Sequence, residues 1–374
     1  MSTQLKKPVL VVGAGPVGLA AAIDLTLRDY PVRIVEARSE PSTYSKAIGI
    51  NARTLELLEP AGVTEHLLDL GLNIPRIRFQ NSDRVLFTVE FSKAAHRYNY
   101  MLGLPQSETE HILEQRLNEL GVRVERSIKL ERFDQDDDSV TGFLAIDGRE
   151  QAFEASYLVG SDGAHSTVRK QLGIDFPGHR MPGDWSLADV RMDTPLQSDA
   201  ANVIFGDDGI LFAIGFKRGV YRIASNRPNV IERLPKGSVV HEVLWESNFA
   251  VSHRLAERYA VGRVLLAGDA AHVHSPLGAR GMNLGIEDAA ALVNAISKGK
   301  LKEYSRARSA VSKSVVRMVK AQTRIATSRS PLVGFARTHV APRLLGIGAV
   351  HQRLAKRMLG LGYQRSDLDP VRRS

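Results

Sequence analysis

An α/β fold with an inserted antiparallel sheet and a helical tail is what this sequence predicts, on three observations. A strand, a glycine turn, a helix and a second strand follow one another over residues 8–36, which reads as a Rossmann-like unit. Near the other end an apolar strand, Val264 to Ala267, runs into Gly268-Asp269 and then, through a loop, into a helix starting at Gly281. Between them, from Trp185 to Leu255, the pattern changes to that of hairpins.

Composition bounds the reading. A chain of 374 residues can hold two or three domains and a substantial core. At 43% hydrophobic and 24% charged it is globular, not disordered. It has no cysteine, which excludes disulfides, thiolate metal sites and dithiol redox chemistry. Any electron transfer must then use a bound cofactor. The net charge of +9 is concentrated in a tail: Lys313 to Ser374 holds 13 basic and two acidic residues, a balance of +11, so the other 312 sum to −2. No aromatic interleaving or binding module supports a nucleic-acid role. Lys6 and Lys7 precede an apolar stretch, but glycines at 13, 15 and 18 and Pro16 interrupt it, and it is too short to cross a bilayer. A cytoplasmic protein without a transmembrane segment is expected, as a monomer or homodimer.

Each element follows from its residues. Pro8 to Val12 is an apolar strand; Gly13-Ala14-Gly15-Pro16-Val17-Gly18 is the turn; Leu19 to Arg28 is a helix; and Val32 to Val35 is a strand ending in Glu36. The glycines allow a tight turn and close approach of a pyrophosphate to the helix start. Glu36, 18 positions beyond Gly18, can accept from ribose hydroxyls, with Ala37 and Arg38 beside it as further candidate contacts. This much points to an ADP-containing ligand and leaves open which dinucleotide it is.

Ser45 to Leu58 reads as a loop entering a helix, and Arg76 to Phe91 as two strands around Asn81-Ser82-Asp83. Gln106 to Leu120 is an amphipathic helix with Ile112, Leu113, Leu117 and Leu120 on its apolar side. Arg123 to Glu131 and Ser139 to Ile146 fit strands, separated by Asp134 to Asp138, a solvated turn and no metal loop, because no further ligand follows at suitable spacing. Tyr157 to Arg169 is a strand, a turn at Asp162-Gly163, and a helix start with Ser166 and Arg169. His165, next to that turn, reads as a capping or packing residue. Val203 to Phe205, Ile210 to Phe216 and Val220 to Ala224 are hairpin strands, which the 76–100 hairpin joins. Phe79, Phe87, Phe205, Phe212 and Phe216 are candidates for a pocket wall, with plain core as the alternative.

The Gly268-Asp269 stretch sets a carboxylate at a strand end, where it suits a polyol hydroxyl. Gly281-Met282-Asn283 begins a helix whose Leu284, Ala289, Leu292 and Ile296 are spaced for burial. Its free N–H groups suit an anion or a polarised carbonyl. In the tail, Ile347, Val350, Leu354, Met358 and Leu361 recur at helical spacing, with Arg353, Lys356 and Arg357 off the stripe. Docking of that stripe on the body of the protein or on a second subunit is the preferred reading, and peripheral contact with an anionic membrane the other.

The three strand-end motifs in this order, spread over roughly residues 8 to 300, resemble the FAD-dependent aromatic hydroxylases, single-component flavoprotein monooxygenases like p-hydroxybenzoate hydroxylase, and most of all their bacterial polyketide and phenol hydroxylase branch. The resemblance implies that Gly13, Gly15, Pro16, Val17, Gly18 and Glu36 hold the ADP half of FAD. It implies that Asp162, Gly163 and Arg169 serve FAD and NAD(P)H, that Gly268 and Asp269 bind the ribityl or pyrophosphate region, and that Gln106 reaches the ribityl chain. Pro276, Gly278, Arg280, Gly281, Met282 and Asn283 would then lie along the flavin ring. NAD(P)H would be the co-substrate, and an aromatic small molecule would be hydroxylated through a flavin hydroperoxide. No nucleophile–base pair is required, so no residue is assigned as catalytic beyond Pro276 and Arg280 near the ring. The alternatives are a flavin oxidase or reductase of the same fold and a flavin-binding protein without turnover.

Lys46 stands where the family commonly has arginine, and Ala279-Arg280 where it has Gly-Gln; the C-terminal thioredoxin-like domain of many relatives is not expected. The implied organisation is a discontinuous FAD-binding domain (1–75, 101–178 and 261–300), a substrate-binding domain (76–100 and 179–260) and a basic helical region (301–374).

Overall fold

The computed structural model describes residues 7–43, 47–81, 84–206, 209–276, 279–328 and 330–362. Its organising layer is a six-stranded sheet in the order 260–261, 264–266, 157–160, 9–12, 32–36, 124–126. All neighbours run parallel except the 260–261/264–266 pair. Val9 to Val12 is buried along its whole length, as a central parallel strand covered on both faces must be. Helices Pro16–Leu27 and Gly281–Lys298 pack together over this sheet. The first has small residues at Ala20, Ala21 and Ala22, which let it lie close.

The second layer is an eight-stranded sheet in the order 272–273, 239–255, 178–193, 220–225, 210–217, 200–205, 76–81, 85–90. The 76–90 hairpin joins it through a parallel pairing of Arg76–Asn81 with Ala200–Phe205, and every other pairing is antiparallel. Two small sheets flank these layers, 149–155/140–146/129–135 and 49–50/101–103/72–74. The strand expected over 123–131 is two strands, Val124–Arg126 and Lys129–Gln135, which belong to different sheets.

Leu301–Ala326 is a 26-residue helix. Its buried positions, Tyr304, Arg308, Ser312, Val315, Val319 and Thr323, advance in steps of three and four and form one continuous stripe. The Tyr304 hydroxyl donates to the Leu266 carbonyl at 2.7 Å and so ties the helix to the parallel sheet. The final helix, Gly348–Met358, packs on the turn Phe91–Ala94, and His351 Nε2 accepts the Glu90 N–H at 2.9 Å. Its apolar stripe is rotated from the expected one. Ala355 and Leu359 are fully buried, Leu354, Met358 and Leu361 partly, while Ile347 and Val350 face solvent. No helix among the described residues is long and apolar enough to cross a membrane.

Candidate functional site

The carboxyl ends of three adjacent strands, 9–12, 157–160 and 264–266, each pass directly into a glycine turn. This is the edge at which open α/β sheets bind ligands. At the first, Gly13 has φ +101°, and a Cβ there would lie 2.5 Å from the Ser161 carbonyl oxygen. A Cβ on Gly18 would lie 1.9 Å from the Gly13 oxygen, so the helix can only sit this close with glycine. Pro16 occupies the first helical turn, where its missing N–H costs nothing, and no side chain caps the helix start. Val17 packs where Gly268 and Gly285 come together: a Cβ on either would stand within 2.8 Å of its side chain. The first and third turns are therefore neighbours.

Glu36 ends its strand. Its Oε2 accepts the Ala14 N–H at 2.9 Å, and its Oε1 accepts the Arg38 N–H at 3.0 Å and Nε at 3.2 Å. Burial works to raise the carboxyl's pKa, but the Ala14 and Arg38 bonds outweigh it and hold it below the usual carboxylate value. The group is ionised at neutral pH, and Ala37 and Arg38 are exposed beside it.

At the second turn, Asp162 Oδ2 accepts the Thr167 and Val168 N–H groups at 2.7 and 3.1 Å, while its buried Oδ1 has no hydrogen-bond partner among the described residues. Arg169 is turned inward. Its guanidinium donates to the Ala270 and Ala164 carbonyls at 2.9 and 3.0 Å and lies 3.9 Å over the Phe176 ring. It links the second turn to the third and positions it. Ser161, which sequence reasoning did not single out, donates to the Val12 and Gly13 carbonyls and closes the space beneath the first turn. Gln106 begins its helix, with its N–H on the Ala47 carbonyl and its Nε2 donating to Glu110 at 2.7 Å. Burial raises Glu110, and the Gln106 bond opposes it.

At the third turn, Gly268 has φ +63° and its N–H donates to Asp288 Oδ2 at 3.1 Å, whereas Asp269 is exposed. Pro276 is exposed and Met282 buried. The Asn283 side chain is used internally. Its Oδ1 accepts the Asn51 N–H and Thr54 hydroxyl at 2.9 and 2.7 Å, and its Nδ2 donates to the Gly49 and Ala279 carbonyls at 2.8 and 2.6 Å. Asn283 thus fastens the helix start to the 49–54 segment. Lys46 and Gly278 lie outside the described residues.

Arg280 departs from the sequence-based picture of a cation turned to a flavin ring. The residue is 2% exposed, its Nη2 is 3.3 Å from Glu287 Oε1, and its Nη1 lies 2.8 Å from where a Cβ on Gly360 would be. Arg280→Gln is accordingly expected to destabilise the fold by roughly 3 kcal/mol, as breaking a buried ion pair does, and to leave the reduction potential of bound flavin unchanged. Denaturant titration beside a redox titration checks this. A shifted potential with unaltered stability would place the guanidinium at the ring instead.

Arg280 belongs to a larger buried network that sequence reasoning missed. Glu287 also faces Arg308 Nη2 at 3.6 Å; Arg308 Nε donates to Asp288 Oδ1 at 2.6 Å; and Asp288 Oδ2 meets His272 Nε2 at 2.6 Å. All five side chains are at most 2% exposed. Asp288, at the centre, holds the Gly268 backbone as well. The neighbouring His274 is pushed down by burial to about 3 and is neutral.

On the eight-stranded sheet, Phe79 stacks on Phe87 (centroids 4.5 Å apart) and on Phe205 (6.3 Å), and Phe212 packs with them against a buried core that includes Ile77, Met101 and Val203. Ala279, just before the Gly281 helix, and Leu354, Met358 and Leu361 of the tail pack against that same buried core. Phe216 does not join it and packs with Ile48 and Val220. A register shift between Gly215 and Lys217 breaks the alternation that would have put Phe216 on the face of Phe212. Arg222 and Asp189, a buried bidentate pair at 2.7 Å, connect this sheet to the chain just before the 49–54 segment, since Arg222 Nη1 donates to the Ala47 carbonyl at 3.0 Å.

These surroundings fit an adenine dinucleotide. A Cβ at Gly15, Gly163 or Gly281 would meet nothing within 4 Å, which leaves open backbone at the first two turns and at the Gly281 helix start, and an ionised carboxylate and Asp162 Oδ1, without a hydrogen-bond partner among the described residues, stand nearby.

The family model "FAD binding domain" matches residues 6–213 and 226–319. Over 313 residues the chain is 36% identical to the 12-dehydrotetracycline 5-monooxygenase/anhydrotetracycline 6-monooxygenase of Streptomyces rimosus, covering 76% of this chain but 61% of that enzyme. It thus spans about three fifths of that relative's length. It is 32% identical over 348 residues to an uncharacterized aromatic compound monooxygenase of Bacillus subtilis, covering 86% of this chain and 69% of the relative. The p-nitrophenol 4-monooxygenase structure from Pseudomonas putida superposes with a TM-score of 0.87 over 96% of this chain and 99% of the other; at 24% identity it speaks for the fold.

Proposed function

The chain belongs to the FAD-binding family of flavin-dependent aromatic monooxygenases, and from that premise we propose that it hydroxylates an electron-rich aromatic compound at the expense of NAD(P)H and O2. One observation carries the reading: Ala279, at the lead-in to the Gly281 helix, packs against the same buried cluster as the stacked Phe79, Phe87 and Phe205. A cofactor ring held at that helix start would stand beside an apolar, aromatic wall.

The redox chemistry, two-electron reduction and activation of O2, is what FAD supplies when bound. The chain's own residues bind, orient and exclude water. The Gly13–Gly18 turn takes the pyrophosphate, Glu36 accepts from the adenosine ribose, and Asp162 and Asp269 accept from hydroxyls farther along. Uncapped N–H groups at Gly281 favour negative charge on a reduced ring. The stacked phenylalanines take the flat face of the substrate, the Asn283 bonds fasten the helix start to the 49–54 segment, and the Arg222 bond to Ala47 ties the eight-stranded sheet to the chain just before that segment.

Relatives named for anhydrotetracycline, rifampicin and pentachlorophenol span fused and single rings, so the substrate is proposed as a class, phenolic or polyketide-like. The test is NAD(P)H oxidation by the FAD-loaded protein against a panel of single-ring phenols and fused-ring phenols. Acceleration by at least one of them supports the proposal. Oxidation at one fixed rate whatever is added would point to an oxidase or reductase.

A further inference from the structure

We propose that the segment from Leu332 to Val350 is a docking surface for an anionic lipid bilayer. Six large apolar side chains, Leu332, Phe335, Val340, Leu344, Ile347 and Val350, are 41–81% exposed there. They are three or four residues apart, with one step of five from Phe335 to Val340. In an α-helix a step of five lands about 140° away from its start. Here the chain makes a π turn over Ala336–Val340, with the Ala341 N–H donating to the Ala336 carbonyl. The wider turn brings Val340 back towards the side of Phe335, so that Leu332, Phe335, Val340 and Leu344 follow one side of the run that ends at Leu345; Ile347, at the break, and Val350, in the final helix, extend the exposed apolar surface.

The opposite side of the segment is held to the protein, so the stripe points outward. Arg337 lies 4.8 Å over the Phe205 ring and donates to the Ala326 carbonyl at 2.8 Å. Charge chooses the occupant. No aspartate or glutamate occurs between Glu303 and Asp367, and Arg324, Arg343, Arg353 and Arg357 are exposed around the stripe. A second copy offers a poor match, because the chain outside its basic tail sums to only −2. A bilayer with acidic headgroups offers both an apolar interior and dense negative charge, the two things an apolar stripe flanked by guanidinium groups takes up. With no spanning helix among the described residues, the contact is peripheral.

The test is flotation of the full chain with vesicles of phosphatidylcholine alone or mixed with phosphatidylserine, at low and high salt. It needs no turnover, so it can fail or succeed independently of the proposed reaction. The chain is expected to float with the mixed vesicles, less so at high salt, and not with the neutral ones. Leu332→Asp with Phe335→Asp, and separately Arg343→Glu with Arg353→Glu, should each lower the bound fraction at least ~10-fold. Both pairs replace exposed side chains, and an unchanged far-UV spectrum and flavin content establish that they fold. No flotation of the intact chain overturns the proposal, as does flotation that neither pair weakens. A dimer in sedimentation equilibrium that the aspartate pair dissociates, without vesicle binding, would assign the stripe to a second copy.

Discussion

Gly18→Val is expected to abolish FAD binding and to weaken the fold, the largest single-residue effect at the proposed cofactor site. The first added carbon would overlap the Gly13 oxygen at 1.9 Å and the Ser161 hydroxyl at 2.6 Å. Neither can retreat. Gly13 is fixed by its N–H on the Val35 carbonyl at 2.8 Å, and Ser161 by two bonds to the same turn. Overpacking of this kind costs roughly 3 kcal/mol or more, and relief requires the helix to move off the strand, which removes the pyrophosphate seat. Gly15→Ala is the control. Its methyl meets no protein atom within 4 Å, so the fold should keep its stability while FAD affinity falls. Flavin-fluorescence titration with a denaturation curve for each variant checks both. Full FAD affinity in both would place the cofactor elsewhere.

Arg308→Met should cost about 3–5 kcal/mol, because it leaves Glu287 and Asp288 without a guanidinium between them in the interior. The pH dependence is a sharper signature. Burial pushes the Asp288 carboxyl up, but the Arg308 and His272 charges and bonds outweigh it, so it sits below its ordinary value of 3.8. A depressed folded pKa contributes stability above the unfolded value and loses it as pH falls through the folded one. Remove Arg308, and the burial effect is opposed only by His272 and the Gly268 N–H. The folded pKa rises, and the contribution becomes a penalty that grows as pH climbs past the unfolded value. The variant's deficit should therefore be largest at neutral pH and shrink towards pH 4. Urea unfolding across that range measures it; a deficit that does not change with pH would mean that Arg308 acts through packing alone.

What could be seen in the sequence depended on whether a rule acts locally. The βαβ unit was legible because strand, turn, helix and acid must follow one another at short spacing, and the structure has Val9–Val12, Pro16–Leu27 and Val32–Glu36 in that order. The 76–90 hairpin was legible for the same reason, although its parallel partner, Ala200–Phe205, is more than 100 residues away and carries no local mark. The strands Gly178–Asp193 and Val239–Leu255 were read as a region, not as elements, because repeated register shifts between them break the alternation that marks a strand.

The buried network was missed although a signal was present. Glu287 and Asp288 interrupt a helix whose neighbours Leu284, Ile286, Ala289 and Leu292 are buried, and two acids in such a setting demand cations. Arg308 sits on the buried stripe of the next helix, between Tyr304 and Ser312, where a charged residue makes sense only with a partner. Read as a cation beside a flavin, Arg280 was assigned from motif position; its direction depends on Glu287 and on the tail folded over it, which no local spacing reveals.

The central proposal is that the chain inserts oxygen into an aromatic ring. Its most direct test is turnover under 18O2 with the phenol that best accelerates NAD(P)H oxidation, followed by mass spectrometry of the product. One labelled oxygen atom per hydroxylated ring, with none taken from water, is the expected result. Consumption of NAD(P)H that yields only hydrogen peroxide, with no labelled product from any phenol of the panel, would contradict it.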